Sequence, residues 1–204
     1  MATPVRLVAF DLDGTLTRGE TACEGIARGL GRLERMRELE AAPWAQGRRA
    51  RQEMAGWYRG RTPEELVAGL ASVPLAPGLD AGVRRLQAAG VTVAIVSLTW
   101  TFAVAFYAAA LGVTDFTGTA LGPRGGIRHL WPEDKPRWVL ALARRRGIPP
   151  QQIAAAGDSD GDVPLLAAVG LPFFVGASPP PGVPGLRHRP GADIDALARE
   201  MLGP

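Results

Sequence analysis

Asp11 and Asp13 stand one residue apart in Phe10-Asp11-Leu12-Asp13-Gly14-Thr15, directly after an apolar run. Carboxylates this close repel each other unless a cation lies between them. If residues 5–10 form a buried strand, the pair sits at its carboxyl end, where open parallel α/β sheets bind ligands. That placement points to a Mg²⁺ site and to phosphate chemistry.

Phosphoryl transfer needs an in-line nucleophile, a metal, cover for the equatorial oxygens and a proton donor for the leaving group. Each need has a candidate here. Asp11 can attack phosphorus and form an aspartyl-phosphate. Asp13 can protonate the departing alkoxide and then activate water. Ser97 ends a second apolar run, residues 91–96, and its hydroxyl and nearby N–H groups can hold a phosphate. Lys135 is the only lysine among 23 basic residues, so 22 are arginine. It can balance Asp11 and the phosphoryl oxygens. Asp158 and Asp162 lie in Gly157-Asp158-Ser159-Asp160-Gly161-Asp162 after a third apolar run, residues 153–156. Such oxygen-rich ligands suit Mg²⁺ better than a soft metal.

The elements that must position these residues follow from apolar pattern and helix signals. Short aliphatic runs followed by helix-like sequence read as fully buried parallel strands. A fourth strand is expected over residues 171–175. Helices are expected over residues 80–89, 101–111, 135–146 and 193–202, the first three stopping at glycine. Residues 115–130 read as a hairpin or flap around Pro123-Arg124-Gly125-Gly126. Residues 18–76 show no strand pattern. They carry capping boxes at Thr21-Ala22-Cys23-Glu24 and Thr62-Pro63-Glu64-Glu65, and Ile26, Leu30 and Leu33 are expected to share one helix face. The expectation is an α/β protein with a Rossmann-like parallel core, residues 1–17 and 77–204, and a small helical cap, residues 18–76, over the carboxyl edge of the sheet.

Composition bounds the class. A chain of 204 residues with 47% hydrophobic content is a globular protein with a proper core. Its apolar stretches break too soon for a membrane span, and a start that runs straight into the first strand predicts no signal peptide. Lone Cys23 excludes an internal disulfide and fits a reducing cytosol. A net charge of +3 carried by arginines scattered among glutamates reads as a solvated surface and predicts no nucleic-acid partner. His129 and His188 lack ligand-like spacing, and Trp57 and Tyr58 read as packing residues.

The four motifs together, in this order, resemble the haloacid dehalogenase superfamily of phosphatases. Asp11-Leu12-Asp13-Gly14-Thr15, Ser97, Lys135 and Asp158-Ser159-Asp160-Gly161-Asp162 carry the resemblance, which spans the chain. It implies Mg²⁺ held by the Asp11 and Asp158 carboxylates and the Asp13 main-chain carbonyl, with Asp162 orienting metal-bound water or Lys135. It also implies a small phosphomonoester substrate. The helical insertion is similar to that of the phosphoserine phosphatase-like branch. Glu20 then matches the glutamate that meets the substrate amine, and Trp44 with Arg51 matches a cap aromatic and a carboxylate-binding arginine. Leu98 and Thr99 stand where that branch has glycines, which places the Thr99 side chain near the substrate and restricts its approach.

Other functions fit parts of the pattern. A sugar or other metabolite phosphatase would use the same core. A phosphoaspartate receiver also uses strand-end aspartates, a hydroxyl, a lysine and Mg²⁺, but has no insertion of this size. A phosphomutase or phosphotransferase would share the first half-reaction. Asp13 argues against a metal-free dehalogenase, because it supplies the acid/base that phosphate esters require.

Overall fold

The computed structural model describes residues 4–42, 47–122 and 125–203. Trp44, Pro123 and Arg124 lie outside the described residues. A seven-stranded sheet in the order β4-β3-β2-β1-β5-β6-β7 forms the middle layer. Its strands are β1 (Leu7–Phe10), β2 (Thr92–Trp100), β3 (Asp115–Leu121), β4 (Ile127–Arg128), β5 (Ile153–Gly157), β6 (Leu171–Phe174) and β7 (Arg187–His188). Among the named strands of the described residues, only the β3–β4 pair is antiparallel. β1 is central, with Leu7 opposite Thr92 on one side and Ile153 on the other.

All four β1 residues are buried because successive side chains enter different layers. Val8 and Phe10 join one apolar cluster, and Leu7 and Ala9 join the other. The first cluster takes α5 (Leu79–Ala88), α6 (Thr101–Ala110) and α9 (Ile194–Leu202). The second takes α7 (Asp134–Arg145) and α8 (Val163–Leu166). The expected parallel core is therefore present, and residues 115–130 contribute more than a flap, because β3 also pairs in parallel with β2.

Between β1 and α5 run α1 (Ala22–Gly29), α2 (Leu33–Glu40), α3 (Gly47–Tyr58), α4 (Pro63–Val67) and a 3-10 turn at Leu70–Ser72. Both anticipated capping boxes form, at Thr21 with Glu24 and at Thr62 with Glu65. Ile26, Leu30 and Leu33 do not share a helix face. α1 stops at Gly29, and Gly31 takes φ +67, which turns the chain before α2.

The chain enters and leaves this helical stretch through a short antiparallel contact, Thr17 opposite Leu75. The Arg18 N–H donates to the Pro74 carbonyl at 2.8 Å, and the Ala76 N–H to the Leu16 carbonyl at 2.9 Å. Packing continues from this stretch into the main layer. Tyr58 meets Trp100 edge-on at 5.3 Å, and the Tyr107 hydroxyl on α6 donates to the Leu70 carbonyl at 3.0 Å. Among the described residues, no helix is long and apolar enough to cross a membrane.

Candidate active site

The loop after β1 folds over the Leu12 carbonyl, which accepts the N–H groups of Thr15, Leu16 and Thr17. Gly14 adopts φ +77, and a Cβ there would overlap the Asp158 carboxylate. Only glycine meets both demands, so the two acidic segments approach at this point. Arg18 braces the loop from behind. Its guanidinium donates to the carbonyls of Gly14, Thr15 and Thr17, and to that of Ala192 before α9.

Asp11 is 5% exposed and Lys135 only 1%. Lys135 Nζ donates to Asp11 Oδ1 and to Asp162 Oδ1, each at 2.6 Å. The second Asp162 oxygen, Oδ2, accepts the Asp158 and Ser159 N–H groups at 3.0 and 3.2 Å and faces the Ser159 hydroxyl at 3.3 Å. Both Asp162 oxygens are thus engaged in holding neighbours. Lys135 is not a solvated helix-start residue. Burial opposes its charge, but Asp11 and Asp162 outweigh that and raise its pKa.

Asp13 Oδ1 accepts the Ala22 N–H at 2.6 Å, at the start of α1. Burial raises the Asp13 carboxyl to about 6, while the Ala22 hydrogen bond opposes the rise. Asp158 is likewise pushed up to about 6, first by burial and then by the charge of Asp162. Burial raises Asp11 well above the ordinary carboxylate range, with Asp162 adding to the effect and Lys135 opposing it.

Carboxylate oxygens of Asp11, Asp158 and Asp162 lie within 4.8 Å of one another. Asp158 Oδ1 is buried and takes no hydrogen bond from the described residues. An orphaned buried carboxylate oxygen beside other carboxylates suits a hard divalent cation. The Asp13 side chain is outside this cluster.

β2 does not end at Ser97, as its apolar run predicted. It continues through Leu98-Thr99-Trp100 with an irregular register against β3 after Val96. The Leu98 carbonyl accepts the Thr119 hydroxyl and Arg51 Nη2, both at 3.0 Å. Ser97 is 2% exposed and does not cap α6; its Oγ accepts the Thr99 N–H at 3.4 Å.

A cavity of about 270 Å³ opens over these groups. Asp11, Asp13, Ser97, Thr99, Lys135 and Ser159 form its polar base, and Met36, Leu39, Ala50, Met54 and Trp100 line it from above. Arg51 and Glu40 also line it, but Glu20 does not. Glu20 pairs with Arg28, with Arg28 Nε 3.0 Å from Glu20 Oε1. The resemblance assigned Glu20 to the substrate amine; the structure places it outside the cavity lining, paired with Arg28. Arg51 does reach the cavity, yet its Nη atoms bond Leu98, Leu130 and His129. Glu40 and Arg18 carry no local sequence signal. Each acts across the fold, and neither stands in a recognisable spacing.

The haloacid dehalogenase-like hydrolase family model matches residues 8–167. The chain belongs to the haloacid dehalogenase-like hydrolases. A phosphoserine phosphatase of Halobacterium salinarum is 32% identical over 217 residues, covering 96% of each chain. A phosphoserine phosphatase of Archaeoglobus fulgidus is 27% identical over 176 residues, covering 81% of this chain. This hydrolase spans about half, 51%, of that relative's length. Its fold matches a structure described as a phospho-aspartyl intermediate analogue of phosphoserine phosphatase, with a TM-score of 0.70 and 21% identity. The match covers 84% of this chain and 87% of the other. The hydrolase is thus phosphoserine phosphatase-like in sequence and in fold.

Proposed function

We propose that this hydrolase is a Mg²⁺-dependent phosphomonoesterase that works through an aspartyl-phosphate on Asp11. The carrying observation is the buried Lys135 ammonium shared by Asp11 and Asp162 at the floor of a small cavity. With Oδ1 fixed by Lys135, Asp11 Oδ2 takes no hydrogen bond from the described residues and is the attacking atom. It forms a bond to phosphorus as the ester P–O bond breaks, and the departing oxygen takes the proton of Asp13. A carboxyl raised to about 6 retains a useful protonated fraction near neutral pH. Asp13 then accepts a proton from water as that water attacks phosphorus. The bond to Asp11 breaks and inorganic phosphate leaves.

Asp11, Asp158 and the Asp13 main-chain carbonyl would hold the cation. When bound, Mg²⁺ supplies charge neutralisation for the phosphoryl oxygens. Asp162 supports the site by orienting Lys135 and the 158–159 backbone. Ser97 and Thr99 line the phosphate-binding base. Residues 18–76 serve as a cap over the core formed by residues 1–17 and 77–204, excluding water from the reaction. The cavity lies near the small end of ligand pockets and suits a metabolite rather than a polymer. A reducing cytosol completes this reading, with Cys23 buried and unpaired.

Phosphoserine is the first substrate to test, because the Halobacterium salinarum and Archaeoglobus fulgidus relatives carry that name. A different small phosphorylated metabolite is favoured by one observation, the pairing of Glu20 with Arg28 outside the cavity. Asp11→Asn should abolish phosphate release while circular dichroism remains native. Acid quenching during turnover should trap label on Asp11. Stable phosphorylation without turnover would instead indicate a receiver, and undiminished turnover by the Asn variant removes Asp11 from the reaction.

A further inference from the structure

The cavity's polar base is placed for phosphate, but its upper wall has a different character. Met36, Leu39, Ala50, Met54 and Trp100 present thioether, alkyl and indole surface. Among the described residues, Lys135 and Arg51 are the lining cations. Lys135 lies between two aspartates. Arg51 is 9% exposed and turned toward the core. Its Nη1 lies 3.2 Å from His129 Nδ1 and 3.3 Å from the Leu130 carbonyl, Nη2 lies 3.0 Å from the Leu98 carbonyl, and the guanidinium sits over the Trp131 ring.

Three contacts already engage the guanidinium, so a substrate carboxylate would compete with the His129, Leu130 and Leu98 acceptors for Arg51 and would find only its remaining N–H groups free. It would also lie beside the Glu40 carboxyl, which repels it when ionised. Glu40 offers the opposite opportunity. Its Oε1 accepts the Thr21 hydroxyl at 2.8 Å, and Oε2 takes no hydrogen bond from the described residues. The residue is exposed overall and lines the cavity, while burial of its carboxyl raises the pKa to about 7 against the Thr21 hydrogen bond, a rise that an adjacent ammonium would reverse.

We propose, on the footing of the phosphomonoesterase reading, that the esterified alcohol carries no carboxylate, places an apolar body against the methionine-rich wall and presents an ammonium to Glu40. The substrate class is a phosphorylated amino alcohol. Glu40, rather than Glu20, selects its outer end.

The test uses the purified full chain with Mg²⁺ and three probes: O-phosphoethanolamine, O-phosphoserine and n-propyl phosphate. The first two differ only in the carboxylate. The expected result is a kcat/KM for O-phosphoethanolamine roughly tenfold or more above that for O-phosphoserine. Glu40→Gln should lower turnover of O-phosphoethanolamine about tenfold more than turnover of n-propyl phosphate. O-phosphoserine matching or exceeding O-phosphoethanolamine overturns the carboxylate-free class. Equal losses on the two other esters remove Glu40 from specificity. Should the variant not fold, the wild-type comparison of the three esters still decides the class. Release of phosphate from none of them overturns the substrate class, and p-nitrophenyl phosphate in the same assay separates that outcome from failure of the phosphomonoesterase reading, which falls if it too is left intact.

Discussion

Lys135 Nζ lies 2.6 Å from Asp11 Oδ1 although 124 positions separate the two residues. The contact ties the start of α7 to the end of β1 and neutralises part of a buried acidic group. The same ammonium also reaches Asp162, so removing it strands two carboxylates in low dielectric. Lys135→Met should destabilise the protein by about 3–5 kcal/mol, the usual cost of breaking a buried ion pair from one side. Burial already raises the Asp11 carboxyl, and without the Lys135 charge to oppose it the folded state would hold that proton still more tightly than the unfolded chain. Stability of the variant should therefore fall further as pH rises from 5 to 8. Denaturant midpoints at the two pH values check this, and equal losses at both would show that the carboxylates are not the cause.

Gly14 places its backbone against the Asp158 carboxylate at φ +77. Gly14→Ala should cost about 1–3 kcal/mol, because the added carbon is strained and also displaces the acid. Thermal unfolding measures the loss. A melting temperature equal to wild type would mean that this turn relaxes freely.

Arg51 fastens α3 to β2 and to the segment before α7 through the Leu98 and Leu130 carbonyls. Arg51→Gln shortens the side chain and removes its charge-assisted hydrogen bonds, each worth about 1.5–3 kcal/mol. Limited proteolysis should then cut within residues 18–76 several times faster than in wild type. An unchanged cleavage rate would show that other packing alone keeps this segment in place.

His129 lies against Arg51 and stacks on Trp131 at 4.9 Å, with Arg48 over the same indole. Burial lowers its pKa from the ordinary 6.5, and the charges of Arg51 and Arg48 add to the effect. The unfolded chain therefore binds this proton more readily. Stability is highest above the ordinary value and declines as pH falls below it toward the depressed folded-state value. His129→Gln removes that dependence. The melting temperature of wild type relative to the variant should drop between pH 7 and pH 5; a pH-independent difference would rule His129 out as the source.

Glu20 pairs with Arg28 at a partly exposed position, and such pairs contribute about 0–1 kcal/mol. Glu20→Ala should shift stability within that range and leave kcat/KM on the best phosphomonoester within twofold. A tenfold loss confined to one substrate would return Glu20 to the binding site.

The residues themselves determined the parallel core and the two capping boxes, because strand burial and helix starts leave short-range patterns, and they marked Asp11, Asp13, Lys135 and Asp158 as candidates for one site. Val8 and Phe10 alternate with Leu7 and Ala9 whatever lies elsewhere, and Thr21 finds Glu24 three positions on. Tertiary structure decided the rest. β2 runs past Ser97 to Trp100, where Leu98 gains donors from Thr119 and Arg51. Arg28 captures Glu20, while α2 carries Glu40 to the rim of the cavity. Charged side chains on helices can satisfy many partners equally well, and only the packing of helices against the sheet fixes which partner is within reach.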